Sequence, residues 1–330
     1  MQYLIAQSEN CGRKTECSTV DEFKIIARYF ERKLQDDSVR IGIGDDGAVV
    51  SPDTQKDLIT VVDSIVSGVH FPDWLSPVDI GYRAVATNLS DVAAMGGKPR
   101  WMTLALTLCE LDPEWLKAFS SGLFLAAKEF NVALVGGDTT RGSEIVISVQ
   151  ILGHIEKGNA LERKGARPGD GIYVSGTLGD ASAGLSILQS GVPLDQVSDF
   201  LVRRFQRPKP RIDLGRFLLN RASAAIDLSD GFYADLEKLL IASQVGGFVE
   251  LDDMPLSPEI TQFTDRQDAM NFALAGGDDY ELCFTAGDQF INETDVPVQR
   301  IGTITTDSGL KCTLHGDPYE YRSKGYRHFT

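Results

Sequence analysis

Apolar positions along the chain switch between a helical and a strand spacing, and the switches mark out its elements. Thr19-Val20-Asp21-Glu22 has the form of a capping box. Phe23, Ile26, Ala27, Phe30 and Leu34 follow at helical spacing, which predicts an amphipathic helix over 19–34. Ala48-Val49-Val50-Ser51 reads as a strand stopped at Pro52, and Leu58-Ile59-Thr60-Val61-Val62 as a strand with Asp63 at its end. Ser76-Pro77 opens a helix, with serine as N-cap and proline at the first helical position. That helix carries Ile80, Ala84, Val85, Leu89, Val92 and Ala93 and stops at Gly96-Gly97. A strand follows over Trp101–Leu108, then a helix capped by Asp112-Pro113 through Phe130, then strands over Val132–Val135 and Glu144–His154. Helix, two strands, helix, strand, helix, two strands is the order of an α+β layered unit with helices on one side.

The second half begins with a turn at Gly165-Ala166-Arg167-Pro168-Gly169-Asp170. The domain boundary is placed just before it, giving a loose extension over 1–18, a first domain over 19–157 and a second over 158–330. Ile172–Gly176 reads as a strand leading through glycines into a helix to Leu188. Arg203–Pro210 reads as a basic, proline-containing connector between helices. Ala224–Ile226 is a strand, Phe232–Ser243 a helix, Met270–Ala275 a helix ending at Gly276-Gly277, and Leu282–Phe284 a strand.

Composition narrows the class of function. The formal net charge is −15. That opposes nonspecific nucleic-acid binding, which needs a basic footprint, and it leaves an anionic substrate dependent on a metal or on arginine. Five cysteines, odd in number and without a CxxC pair, argue against a zinc site or a disulfide framework and suit a reducing cytoplasm. No apolar run reaches the length of a membrane span, and the N-terminus shows no apolar signal core.

The candidate chemistry centres on Leu134-Val135-Gly136-Gly137-Asp138-Thr139-Thr140-Arg141-Gly142. Glycines at a strand end let the backbone approach a ligand, and Asp138 adds a carboxylate that repels phosphate unless a divalent cation lies between. Taken alone, this is equally a strand followed by a polar turn. The same combination returns at Gly42–Gly47, Val61–Ser64, Leu89–Asp91, Asp227–Gly231 and Gly276–Glu281. Gly42-Ile43-Gly44-Asp45-Asp46-Gly47 matches G-x-G-x-x-G, but a strand follows it where a dinucleotide site needs a helix. A metal-binding loop or a plain acidic turn remains. No Walker P-loop motif occurs anywhere in the chain.

Asn88 and Asp91 share one helix face amid apolar residues, so Asp91 is either a costly buried charge, a metal ligand or a surface residue. Asp227 and Asp230 flank a strand-to-helix turn, where helix capping by Ser229 or Asp230 is the plain alternative. His70, a lone histidine, carries little by itself. Magnesium takes carboxylate and water oxygens and shares them with substrate phosphates. Recurrent aspartates at strand ends, with Arg141 and Arg163 as forked phosphate contacts, point to a magnesium-dependent, nucleotide-using enzyme.

GIGDDGAVV, VDSIVSGVHF, NLSDVAAMGG, VGGDTTRG, IDLSDG and GGDDYEL, in this order, resemble the thiamine-monophosphate kinase family. Its superfamily includes aminoimidazole ribonucleotide synthetase, selenophosphate synthetase and a hydrogenase maturation protein. The resemblance runs from about Glu22 to Phe329. It implies a two-domain PurM-like α+β fold, with an N-terminal mixed sheet, helices on one side, and a C-terminal α/β sandwich domain. It implies a cytoplasmic homodimer paired through the N-terminal sheet, without nucleic-acid or membrane partners. It also implies transfer of phosphate from ATP to thiamine monophosphate, giving thiamine diphosphate.

Carried over by position, Asp46, Asp63, Asp91, Asp138, Asp227 and Asp230 match magnesium ligands, with potassium left open as a further cation. Gly137, Asp138, Arg163 and Ser229 match ATP contacts, and His70, Asp278 and Tyr326 match positions near the thiamine substrate. Tyr326 suits stacking on a cationic thiazolium. Two departures stand out: Val61 and Val62 precede Asp63 where the family commonly has hydroxyls, and Asp278 stands where it commonly has Glu. The nucleophile, a phosphate oxygen, is already ionised, so the expected mechanism is direct in-line transfer without a general base. The sister synthetases are the runner-up. Against them, Cys11 and Cys17 lie in no glycine-rich loop and the chain ends His328-Phe329-Thr330, without a cysteine motif. A non-catalytic binding protein for thiamine phosphates or nucleotides is the alternative of a different class.

Overall fold

The computed structural model describes residues 22–32, 36–191 and 193–320. A short helix α1 (Glu22–Ile25) passes into a π-helical turn over Ile26–Phe30. There follow β1 (Val39–Ile41), β2 (Val49–Val50), β3 (Lys56–Val66), α2 (Pro77–Ala94), β4 (Lys98–Leu108), α3 (Pro113–Glu129), β5 (Ala133–Arg141) and β6 (Val146–Glu156). β1 and β2 form a small ribbon, and the other four strands form one sheet in the order β3-β6-β4-β5. β4 and β5 pair in parallel, joined by α3, and the remaining pairs are antiparallel. α2 and α3 bury one face of this sheet, with Val85, Leu89, Val92, Phe119 and Leu123 fully enclosed.

The second half contributes β7 (Gly171–Ser175), α4 (Asp180–Ser190), α5 (Gln196–Gln206), α6 (Ile212–Leu218), β8 (Ala224–Asp227), α7 (Phe232–Ser243), β9 (Gly246–Glu250), α8 (Pro258–Phe263), α9 (Arg266–Ala275), β10 (Leu282–Ala286), β11 (Val298–Thr305), β12 (Gly309–Leu314) and β13 (Asp317–Tyr319). These strands form a seven-stranded mixed sheet, β13-β12-β9-β11-β7-β10-β8, in which β9 and β12 are the parallel pair. Every residue of β7, β8 and β10 is buried. Strands covered on both faces read as continuous apolar runs, which is how Ile172–Val174 and Ala224–Ile226 appear in the sequence.

α2 belongs to both halves. Ala93 and Ala94 at its C-terminal end pack with Leu214 and Leu218 of α6 and Ala225 of β8. A Cβ on Gly215 would lie 2.0 Å from the Ala93 carbonyl oxygen, so α6 meets α2 backbone to backbone. The helix ends as its glycines require: Gly96, at φ 74°, donates to Ala93, and Gly97 donates to Val92.

Several boundaries differ from the expectation. The helix expected over 19–34 is described only from Glu22, and the chain turns extended at Glu31 (ψ 126°); its capping box lies outside the described residues. Ser76 is the N-cap of α2 but makes no side-chain cap bond, whereas Asp112 accepts from the backbone N–H groups of Glu114 and Trp115 at 2.9 and 3.2 Å. The strand expected to end at Val135 continues to Arg141, because β4 pairs with it as far as Arg141 once Val135 has been bulged out. Arg203–Gln206 belong to α5, so the connector is shorter than expected.

α2 and α3 also touch through glycine. A Cβ on Gly122 would lie 1.8 Å from the Val78 carbonyl oxygen, and one on Gly81 would lie 2.1 Å from that of Phe119. Gly122→Ala is therefore expected to separate two buried helices and to lower unfolding free energy by about 1–3 kcal/mol in urea denaturation. An unchanged midpoint would show that the helices move apart freely.

Candidate active site

The polar residues of α2 fall on one stripe. Arg83, Thr87 and Asp91 recur every four residues, with Asn88 and Ser90 beside them; Thr87 and Asp91 line a cleft, and Arg83, Asn88 and Ser90 are buried in bonds to neighbouring elements. Asn88 accepts the backbone N–H of Asp63 at 2.8 Å, which ties α2 to β3. Ser90, fully buried, donates to Asp227 Oδ2 at 2.8 Å, which ties α2 to the end of β8. These two bonds bring β3, α2 and β8 together around a group of carboxylates.

Asp63 and Asp91 interact directly, and burial together with the charge of Asp230 raises the Asp63 carboxyl against the opposing effects of Asp91 and His70. Burial, followed by the charges of Asp227 and Asp63, raises the Asp91 carboxyl to about 8. Burial, then Asp235, raises Asp227 to about 6, although the Ser90 hydroxyl and Arg163 oppose the shift. Asp230 adds its negative charge to Asp63. Asp63 is not at a strand end: β3 runs on to Val66, so the carboxylate projects from mid-strand beside α2.

Three cavities hold the candidate residues, and the first two open along this cleft. One of about 630 Å³ is lined by Asp63, His70, Trp74, Ser229, Asp230 and Asp278. A second, of about 580 Å³, has Asp91, Asp227 and Arg163, with Val61 and Val62 beside them. The third, of about 440 Å³, lies between the Gly42–Ala48 loop and Leu134–Thr139, and Asp46, Gly137 and Asp138 line it. The structure thus gathers Asp63, Asp91, Asp227 and Asp230, and sets Asp46 and Asp138 on a separate cavity beside β5, at the opposite edge of the four-stranded sheet from β3. A Cβ on Gly137 would lie 1.9 Å from the Leu104 carbonyl oxygen, so glycine here serves close pairing of β5 with β4. Tyr326 lies outside the described residues.

Among the described residues no three His, Cys, Asp or Glu side chains converge closely enough to cage a metal ion. The donor set nevertheless fits magnesium: hard carboxylate oxygens, crowded until one of them takes a proton, and room for phosphate beside them. Magnesium is commonly held by one or two carboxylates together with substrate phosphates and water.

Supporting residues that the sequence patterns do not single out complete the site. Asp235, buried in the first turn of α7, accepts the backbone N–H groups of both Ser229 and Asp230 at 2.9 Å. Lys238 bridges Asp230 and Asp235 at 2.6 and 2.7 Å. Their helical spacing from Asp230 was a usable signal, since a lysine eight residues on lies two turns along the same face. His70 accepts the Val66 backbone N–H on Nδ1 at 3.1 Å, which fixes its ring over the turn after β3.

The acids of Gly277–Glu281 divide their tasks. Asp279 accepts the N–H groups of Gly179 and Ala181 at 2.7 and 3.2 Å and so caps α4 from a distance. Glu281 is fully buried and accepts from Ser175, Arg204 and Arg211. Asp278 alone of the three lines the cleft.

This architecture, two sheets meeting at a carboxylate-lined cleft, has a counterpart among known proteins. The AIRS family, described as AIR synthase related protein, N-terminal domain, matches residues 44–155. The chain is 44% identical over 319 residues to the thiamine-monophosphate kinase of Salmonella typhimurium, covering 93% of this chain and 98% of that one. The crystal structure of thiamine-monophosphate kinase from Stenotrophomonas maltophilia K279a superposes with a TM-score of 0.81 at 41% identity, covering 90% of this chain and 96% of that one. A structure of AaThiL complexed with AMPPCP and TMP superposes with a TM-score of 0.78 at 32% identity, covering 93% and 96%. The chain belongs to the thiamine-monophosphate kinase family.

Near the cleft, Asp180, Asp279 and Glu281 are buried with two guanidinium groups, Arg204 and Arg211. Burial pushes Asp279 up to about 8 against the opposing charge of Arg204. The folded pKa exceeds the unfolded one, so folding favours the protonated form and this contribution is lost as pH rises toward 8. Asn, neutral at every pH, keeps an acceptor for Gly179 and loses the weaker bond to Ala181. Asp279→Asn should therefore lower the melting temperature more at pH 5 than at pH 8. An equal loss at both would place the proton elsewhere.

Proposed function

We propose that this protein transfers the γ-phosphoryl group of ATP to the phosphate of thiamine monophosphate, giving thiamine diphosphate and ADP. The observation that carries the reading is the carboxylate group on β3, α2 and the β8–α7 turn, in a chain 44% identical to a thiamine-monophosphate kinase. Two polyanions must meet for this reaction, and bare carboxylates beside them would only add repulsion. Asp46, Asp63, Asp91, Asp138, Asp227 and Asp230 would hold magnesium ions, which when bound neutralise phosphate charge and draw the two substrates into line. Potassium as a further cation is compatible with the same oxygen-rich cleft.

The chain's own residues position rather than react. A phosphate oxygen of thiamine monophosphate, ionised near neutral pH, attacks the γ-phosphorus of ATP. The bond from that phosphorus to the β,γ-bridging oxygen breaks, and its electron pair leaves with ADP. No general base is needed, because the nucleophile carries no proton at the attacking oxygen. Gly137, Asp138, Ser229 and Arg163 would contact ATP, with the Arg163 guanidinium beside Asp91 and Asp227. His70 and Asp278, with Tyr326 from outside the described residues, would receive the thiamine moiety. Val61 and Val62, lining the cavity that holds Arg163, offer apolar contact where a hydroxyl would offer an oxygen.

The rest of the reading is architectural. We place the first domain over 19–157 and the second over 158–330, with 1–18 as an extension. The four-stranded sheet carries α2 and α3 on one face, and its other face presents Leu58 and Val62, 49% and 61% exposed. That face would pair with a second copy in a homodimer. No described helix is long and apolar enough to cross a membrane, and a cytoplasmic setting suits the thiols.

Phosphorus NMR of ATP, thiamine monophosphate and magnesium with the purified protein should show thiamine diphosphate appearing in step with ADP. Intact ATP would overturn the reading, and a labelled phosphoenzyme would overturn direct transfer. Asp91→Asn and Asp138→Asn should each lower kcat/KM by about a hundredfold or more while leaving the melting transition cooperative. Turnover retained at saturating magnesium would remove that residue from the site.

A further inference from the structure

Arg83 is the most buried charged side chain of α2, 1% exposed. Its guanidinium lies 4.4 Å from the Phe205 ring centroid and 5.6 Å from that of Tyr280. Nη1 donates to the Phe205 carbonyl oxygen at 2.6 Å, and Nη2 donates to Asp278 Oδ1. One planar group thus joins α2 in the first half of the chain to α5 and to the Gly277–Glu281 segment in the second. Burying such a charge is costly unless it is paired, and here its counter-ion is a residue of the cleft itself.

Asp278 needs holding. Its φ of 73° is in the left-handed region, as is the 50° of Tyr280, and neither residue is glycine. Such backbone persists only where the surroundings over-determine it. The Asp278 N–H donates to the Ser229 carbonyl at 3.0 Å, and the Tyr280 hydroxyl donates to Oδ1 at 3.3 Å. Both side-chain donors therefore take Oδ1, leaving Oδ2 to the 630 Å³ cavity shared with His70, Trp74 and Ser229.

We propose that Arg83 is a positioning residue for the phosphate acceptor: by fixing Oδ1 of Asp278 it aims Oδ2 at the amine-bearing, cationic ring system of the acceptor and locks the acceptor cavity only when the two halves of the chain are docked. The proposal rests on the reading of this cavity as the acceptor site. Arg83 touches no substrate; it acts through Asp278. Of the proposed ATP contacts, Gly137, Asp138 and Arg163 line other cavities and only Ser229 shares this one, so the acceptor depends on Arg83 far more than ATP does. Lysine keeps the charge, but its single ammonium cannot fork to Phe205 and Asp278 at once.

The test is a set of variants read by steady-state kinetics on both substrates and by tryptophan fluorescence, since Trp74 is 57% exposed at the same cavity. Arg83→Lys should raise KM and the fluorescence Kd for thiamine monophosphate by about tenfold, the scale of one charge-assisted hydrogen bond. KM for ATP should stay within about twofold, a difference far below one such bond. Asp278→Asn should do the same, and the double variant should be no worse than Asp278→Asn alone, because both remove one linkage. Should the lysine variant fail to fold, Arg83→Gln, which keeps one donor, carries the same comparison. Parallel loss for both substrates, or additive losses in the double variant, would overturn the proposal. Wild-type protein without thiamine diphosphate formation would instead refute the acceptor reading beneath it.

Discussion

Repulsion among carboxylates is the constraint on which the rest of this structure depends. Asp63, Asp91, Asp227 and Asp230 act on one another at the place where the two sheets meet, and water is largely excluded from Asp227. At short range in a poorly polarisable interior, such charges oppose folding by more than any single hydrogen bond returns. The molecule answers locally. The Asp91 carboxyl is pushed up to about 8, Ser90 donates to Asp227, and Lys238 bridges Asp230 to Asp235. A cluster of acids held with these concessions favours cations, which is what bringing ATP beside a second phosphate demands.

The scaffold is correspondingly stiff. α2 lies against α3 and α6 at backbone distance, through Gly81, Gly122 and Gly215, and its polar stripe is thereby fixed in height and rotation. Asn88 and Ser90 convert that rigidity into the placement of Asp63 and Asp227. Positioning to a fraction of an ångström is what the proposed in-line transfer, with no nucleophile from the protein, requires.

Acidic residues adjacent in sequence serve opposite ends. Asp278 opens onto the cleft, while Asp279 caps α4 and Glu281 neutralises Arg204 and Arg211 in the interior. Left-handed backbone at Asp278 and Tyr280 turns neighbouring side chains apart, so one acidic run becomes a cleft-facing group and two anchors. Asp227 and Asp235 divide in the same way: one is in the cleft group, and the other holds the backbone of the turn that presents Ser229 and Asp230.

Much of this was legible in the chain. α2, α3 and α7 were readable from apolar spacing, capping and terminal glycines, because those signals are local. The acidic motifs and their order identified a family, and with it a fold, because residue types and spacing are read directly along the chain. What the tertiary structure alone decided was partnership. β5 runs through its glycines to Arg141 because β4 pairs with it there, and Asp63 sits in mid-strand because β6 continues opposite it. Nothing local marks Arg83, whose worth lies in groups brought to it by folding, and the helical spacing of Lys238 from Asp230 gains meaning only once Asp230 is placed in the cleft. The assignment of Asp279 and Glu281 to the interior likewise depends on Arg204 and Arg211, residues some seventy positions away. Side-chain chemistry is written residue by residue, but the sign and strength of an electrostatic site depend on distances, and distances between remote residues exist only once the chain has folded.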